Sequence, residues 1–116
     1  MEISVGHTPD SDDAFMFYGM FTDKVPSPDF KVNHIIEDIE KLNKKATEPE
    51  LDVTAVSVHA CAFIPGYTIL RSGGSFGINY GPIVTARKQM TIDEIRKCKI
   101  AIPGKMTSAF LLLLSL

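Results

Sequence analysis

Residues 3–18 read ISVGHTPDSDDAFMFY. A short run with strand character ends at Gly6, a polar loop follows, and an apolar run with helix character opens behind three acidic residues and a serine. This pattern predicts a strand–loop–helix unit, and α/β folds bind ligands at such loops, outside the carboxyl end of a strand. Two interpretations of the acidic residues stay open. Asp10, Asp12 and Asp13 either cap the helix or bind hydroxyl, amine or metal groups.

The composition indicates one globular domain with no nucleic-acid or membrane partner. The chain has 116 residues, of which 45% are hydrophobic and 22% charged, and its net charge is −2. A nucleic-acid or membrane surface would require a basic block, and the sequence has none. Cys61 and Cys98 do not form a disulfide framework, and residues 1–3 do not resemble the start of a signal peptide. We therefore expect a cytoplasmic protein.

The rest of the chain alternates between strand and helix patterns. We predict helices at residues 12–21, 38–47, 58–63, 91–97 and 109–116, and strands at residues 3–5, 31–36, 52–56, 67–71, 82–86 and 99–102. Thr91 and Glu94 have the spacing of a capping box. The alternation predicts an α/β fold with a mainly parallel sheet.

Three loops share one design, because each follows a predicted strand and opens a helix with Ser, Thr or Asp. They are residues 8–13, 57–59 and 104–108. Loops after parallel strands lie along one sheet edge, where they could converge on a small anionic or polyol ligand. The alternative is that these residue types are ordinary helix N-caps. The predicted ligand-binding residues are Asp10, Asp12, Asp13, Ser57, His59, Thr107 and Ser108.

The sequence gives less support for a metal site or a general-base histidine than for the ligand-binding loops. A calcium loop starting at Asp10 would need Glu at its twelfth position, where Phe21 stands, so we predict no such site. Asp10 and Asp12 keep a metal-dependent phosphotransferase as a minor alternative. His7 or His59 could act as a general base, although a hydrogen-bonded, partly buried histidine is the commoner case. No metal site is predicted.

The last residues form an apolar run without a helix stop signal. A helix that is apolar on all sides is usually buried. We therefore expect this segment to self-associate, and we expect the chain to be the first part of a longer protein.

Four segments together resemble a known family. DSDDAFMF at residues 10–17, DVTAVS at 52–57, YGPIV at 80–84 and IPGKMTSA at 102–109 occur in the same order in the menaquinone-biosynthesis proteins of the futalosine route, the 1,4-dihydroxy-6-naphthoate synthase family. The resemblance implies a fold similar to type 2 periplasmic binding proteins, in which two lobes close over a ligand. Residues 1–116 would be the N-terminal lobe, with the crossing to an absent second lobe starting near residue 81.

The resemblance also implies a chemistry. Such a synthase is a lyase-type enzyme that converts cyclic dehypoxanthine futalosine without a metal or organic cofactor. Asp13, Ser57, Thr107 and Ser108 would line the cleft, and the catalytic histidine would lie beyond Leu116. The family loop usually reads Cys-Pro-Asn-Asp-Thr where this chain has DSDDA at residues 10–14, so this loop is more acidic. A non-catalytic solute-binding protein with the same cleft is the alternative.

Overall fold

A parallel sheet of three strands organises the part of the chain that the computed structural model describes, residues 1–26 and 28–116. The strands are β1 (Glu2–His7), β2 (Lys31–Ile36) and β3 (Val53–Thr54), in the order β2-β1-β3. In the central strand, Val5 pairs with His34 on one side and with Val53 on the other. The predicted parallel α/β arrangement is confirmed for this region, although β3 is shorter than predicted.

The helices begin close to where the sequence predicts them. They are α1 (Ser11–Phe21), α2 (Ile39–Thr47), α3 (Ile92–Ile95) and α4 (Ser108–Leu113). A single 3₁₀ turn, Ala60–Phe63, takes the place of the helix predicted at 58–63. The Thr91 and Glu94 capping box is present. The helix that it starts has only four residues, compared with the seven predicted. A capping box fixes where a helix begins but does not determine its length.

The two faces of β1 pack against different helices. His7 stacks on Phe17 of α1, with ring centroids 4.6 Å apart. Gly6 faces α2, where an added Cβ atom would lie 2.9 Å from the Cδ2 atom of Leu42. Strand alternation explains this division, because successive side chains point to opposite faces. The small apolar core consists of Val5, Leu42, Ala46 and Ala60.

Asp52 joins the beginning of β3 to the central strand. Its Oδ2 atom accepts hydrogen bonds from the backbone N–H and the hydroxyl of Ser4, both at 2.7 Å, and its own N–H donates to Ser4 Oγ at 2.9 Å. The backbone bond from Ser4 is the main cause of a lowered pKa of the Asp52 carboxyl. This exchange fixes the register of a strand that has only two residues of its own.

Three predicted strands are wrong. Residues 67–71, 82–86 and 99–102 contain no strand. Their β-branched residues suit a pleated surface, but a strand exists only as part of a ladder, and these segments pair with no other strand in the described residues. Their apolar side chains stay largely in solvent, as Ile69 and Ile83 do at 78% and 82% exposure.

The described helices are short. None of those in residues 1–26 and 28–116 has the length and apolar character needed to cross a bilayer.

Candidate functional site

Two of the three predicted ligand loops meet directly. The backbone N–H of His59 donates to Ser108 Oγ at 3.2 Å, and His59 Nδ1 lies 3.2 Å from the carbonyl oxygen of Thr107. Thr107 is buried, at 3% exposure, and its hydroxyl caps α4 by accepting the N–H of Phe110 at 3.2 Å. The loop after β3 and the loop before α4 therefore form one continuous surface, although they are nearly 50 residues apart in sequence.

The contact with Thr107 fixes the tautomer of His59. A carbonyl oxygen only accepts, so Nδ1 must carry the proton. The neutral ring then leaves Nε2 as an acceptor, and that atom makes no hydrogen bond within the described residues. His59 is half-buried and packs edge-on against Phe63 at 5.3 Å. It can thus offer a ligand one oriented acceptor or proton-binding atom.

Ser57 is held by a residue that the sequence analysis missed. Its backbone N–H donates to Asn43 Oδ1 at 2.8 Å, and the Asn43 amide donates back to Ser57 Oγ at 3.1 Å. Asn43 is fully buried. A signal for it exists, since residues 39, 42, 43 and 46 make up the inner stripe of α2 and Asn43 is the one polar member.

The loop at residues 104–108 is positioned differently from the prediction. The strand predicted directly before it, at residues 99–102, is absent. The loop lies against α2, where the Glu40 carboxylate accepts the N–H groups of Lys105 and Met106, each at 3.1 Å. The argument from aligned strand ends is therefore wrong for this loop. Two side chains of α2, Asn43 and Glu40, hold the loop after β3 and the loop before α4 in place.

The acidic residues form a separate group around Thr8. Asp13 is buried, and its Oδ2 atom accepts the N–H of Thr8 at 2.6 Å and its hydroxyl at 2.9 Å. The same hydroxyl lies 3.1 Å from Asp10 Oδ2. A hydrogen bond from the Ser75 side chain is the main cause of a lowered pKa of the Asp12 carboxyl. In the described residues no hydrogen bond joins these acids to Ser57, His59 or the loop before α4.

The interpretation of Asp12 or Asp13 as the cap of α1 is wrong. The N-cap is Asp10, and its side chain makes no cap hydrogen bond. Asp13 stands three residues into the helix and reaches back beyond the cap to Thr8, so it closes the loop and not the helix end.

His7 is a structural residue. It is 2% exposed, Nδ1 lies 3.1 Å from the Thr8 carbonyl oxygen, and Nε2 lies 3.2 Å from His34 Nδ1. Both ring nitrogens are used inside the fold, so His7 has no free atom for a ligand. Of the two histidines considered as a general base, only His59 keeps a ring nitrogen without a hydrogen-bond partner in the described residues.

A sequence profile described as menaquinone biosynthesis matches residues 3–114. The chain belongs to this menaquinone-biosynthesis family. The match includes every predicted ligand-binding residue, from Asp10 to Ser108, and confirms the resemblance drawn from the four segments.

Two relatives of this family member are similar over nearly its whole length. A 1,4-dihydroxy-6-naphthoate synthase of Thermus thermophilus is 36% identical over 112 residues, which are 96% of this chain and 40% of the relative. A crystal structure of an Archaeoglobus fulgidus protein superimposes with a TM-score of 0.87 and 49% identity, covering 97% of this chain and 41% of that one. The chain thus spans about 40% of the length of the relatives that it matches.

Clusters of potential metal ligands are absent from the described part of this family member. No group of three or more His, Cys, Asp or Glu side chains there is arranged to hold an ion. The carboxylate of Asp10 accepts a hydrogen bond from the Thr8 hydroxyl.

Proposed function

We propose that this chain is the ligand-binding part of a 1,4-dihydroxy-6-naphthoate synthase-like protein of menaquinone biosynthesis. The proposed ligand is cyclic dehypoxanthine futalosine, which the synthase resemblance implies, or the naphthoate released from it. Ser57, His59, Thr107 and Ser108 contact this ligand. The observation that carries the proposal is the pair of hydrogen bonds from His59 to Thr107 and Ser108, which joins two separate loops into one surface.

The chemistry of this surface suits a ligand that carries both carboxylate and hydroxyl groups. Ser57 and Ser108 supply hydroxyl groups, and His59 supplies an imidazole whose outward nitrogen can accept a hydrogen bond or a proton. Asp10 and Asp13 are already hydrogen-bonded to Thr8, so in this proposal their carboxylates hold the loop after β1 and do not contact the ligand.

The proposal includes a cleft with a second wall. In a fold like that of type 2 periplasmic binding proteins, the described α/β unit is one lobe, and the other belongs to the remaining three-fifths of the length that the relatives have. The lyase step then requires groups from both lobes. Closure of two lobes excludes water and completes a catalytic site, so the 116-residue chain alone binds ligand without turning it over.

Binding of 1,4-dihydroxy-6-naphthoate to the ¹⁵N-labelled chain tests the proposal. Amide signals of Ser57, His59, Thr107 and Ser108 should shift together on titration. Ser108→Ala should weaken binding at least about ten-fold, because it removes one hydrogen bond to a charged group and also the acceptor of the His59 N–H. Ser115→Ala is the control, because that hydroxyl donates only to Leu112 within its own helix end.

Shifts confined to residues outside the two loops would contradict the proposed site. Measurable turnover of cyclic dehypoxanthine futalosine by the chain alone would contradict the requirement for a second lobe.

A further inference from the structure

Glu40 of α2 contacts the loop before α4 although the two are far apart in sequence. Its two carboxylate oxygens accept the consecutive N–H groups of Lys105 and Met106, each at 3.1 Å, over separations of 65 and 66 residues. Two charge-assisted bonds to one carboxylate fix both the position and the orientation of a backbone segment. The next residue in the loop is Thr107, and Ser108 follows it.

The loop is shaped to receive this carboxylate. A Cβ atom at Gly104 would overlap the carboxyl group of Glu40, so only glycine lets the backbone approach so closely. The turn then closes on itself, because the Thr107 hydroxyl donates to the Gly104 carbonyl oxygen at 2.7 Å. Gly104, Glu40 and Thr107 thus form one interlocked unit.

Glu40 and Asn43 lie three residues apart on α2, a spacing that places them on the same helix face. Asn43 holds Ser57, and Glu40 holds the backbone that leads into Thr107. One turn of a single helix therefore sets the separation between the two halves of the proposed ligand surface.

We infer that Glu40 is a positioning residue, which aligns Thr107 and Ser108 with Ser57 for ligand binding. This inference rests on the proposed function. Glu40 does not touch the ligand; it acts through the loop, and its effect is on affinity.

Glu40→Gln tests the inference because it keeps the side-chain size and one acceptor while replacing the second acceptor by a donor that faces an N–H group. Glu48→Gln is the matched control, since Glu48 is exposed just after α2 and carries the same charge. The dissociation constant for 1,4-dihydroxy-6-naphthoate is measured on folded protein, together with hydrogen exchange at the Lys105 and Met106 amides. We expect Glu40→Gln to weaken binding about ten- to hundred-fold, as misplacement of binding groups does, and to speed exchange at both amides.

The outcomes separate the two proposals. If the unsubstituted chain binds the naphthoate and Glu40→Gln binds it equally well, the positioning role is overturned while the proposed function stands. If the unsubstituted chain does not bind the naphthoate, the proposed function fails. If hydrogen exchange at the Lys105 and Met106 amides is also the same in Glu40→Gln as in the unsubstituted chain, the positioning role is overturned as well. A contact that only stabilises the fold would lower the melting temperature and leave the dissociation constant of folded protein unchanged, which would also overturn it.

Discussion

The Nε2 atom of His7 lies 3.2 Å from the Nδ1 atom of His34, in the layer between the sheet and α1. His7 donates from Nδ1 to the Thr8 carbonyl oxygen, so its Nε2 atom accepts and His34 Nδ1 must donate. His34 Nε2 is then a bare acceptor, buried and without a hydrogen-bond partner in the described residues. Protonation of the pair would add a proton at this buried atom.

We expect this histidine pair to make the fold sensitive to mild acid. Burial is the main cause of a lowered pKa of His34, and the neighbouring His7 adds to it. The folded state therefore binds fewer protons than the unfolded state, in which the pKa of a histidine is about 6.5. The resulting stability is complete above that pH and is lost as the pH falls below it towards the folded-state pKa.

Thermal melts across this range check the expectation. His34→Gln removes the titrating ring, so its melting temperature should fall less between about pH 7 and pH 5 than that of the unsubstituted chain. Asn33→Gln, exposed on the opposite face of β2, should keep the unsubstituted slope. Equal slopes for His34→Gln and the unsubstituted chain would show that His34 is not the titrating group.

Asn43→Ala should destabilise the fold as well as the site. Asn43 is fully buried and exchanges two hydrogen bonds with Ser57, whose N–H would lose its partner. The loss should be about 2 kcal/mol in the free energy of unfolding measured with urea. Asn33→Ala, at an exposed position of β2, should change it by less than about 0.5 kcal/mol. Similar values for the two variants would contradict the support given to Ser57.

Gly6→Ala should reveal how closely α2 packs on β1. The added methyl group would lie 2.7 Å from Leu51 Cδ1 and 2.9 Å from Leu42 Cδ2, so the core must shift. Overpacking of this kind costs about 1–3 kcal/mol in the free energy of unfolding. Gly81→Ala is the control, because a Cβ atom there meets nothing within 4 Å. A neutral Gly6→Ala variant would mean that the helix and the sheet are loosely packed.

The sequence predicts local units of this fold well, because their signals are local. The β1, α1 and β2 unit follows from the alternation of residues 3–36, and the Thr91 and Glu94 capping box from its spacing. The strand predicted at 82–86 fails because ladder partners lie outside any local window. The contacts of Glu40 with Lys105 and Met106 span 65 residues or more, so no local pattern indicates them.

Helix α4 should drive self-association of the chain. Leu112 in the helix and Leu114 at its C-cap are 51% and 67% exposed, and none of the helix's residues is fully buried. Contiguous apolar surface of this kind tends to find a partner. We expect the mass from sedimentation equilibrium to rise with protein concentration, and the double variant Leu112→Gln, Leu114→Gln to shift the equilibrium towards the monomer. Leu70→Gln, at a 59% exposed leucine outside this helix, is the control. A monomeric mass at all concentrations, or an equal effect of Leu70→Gln, would show that α4 is not the contact surface.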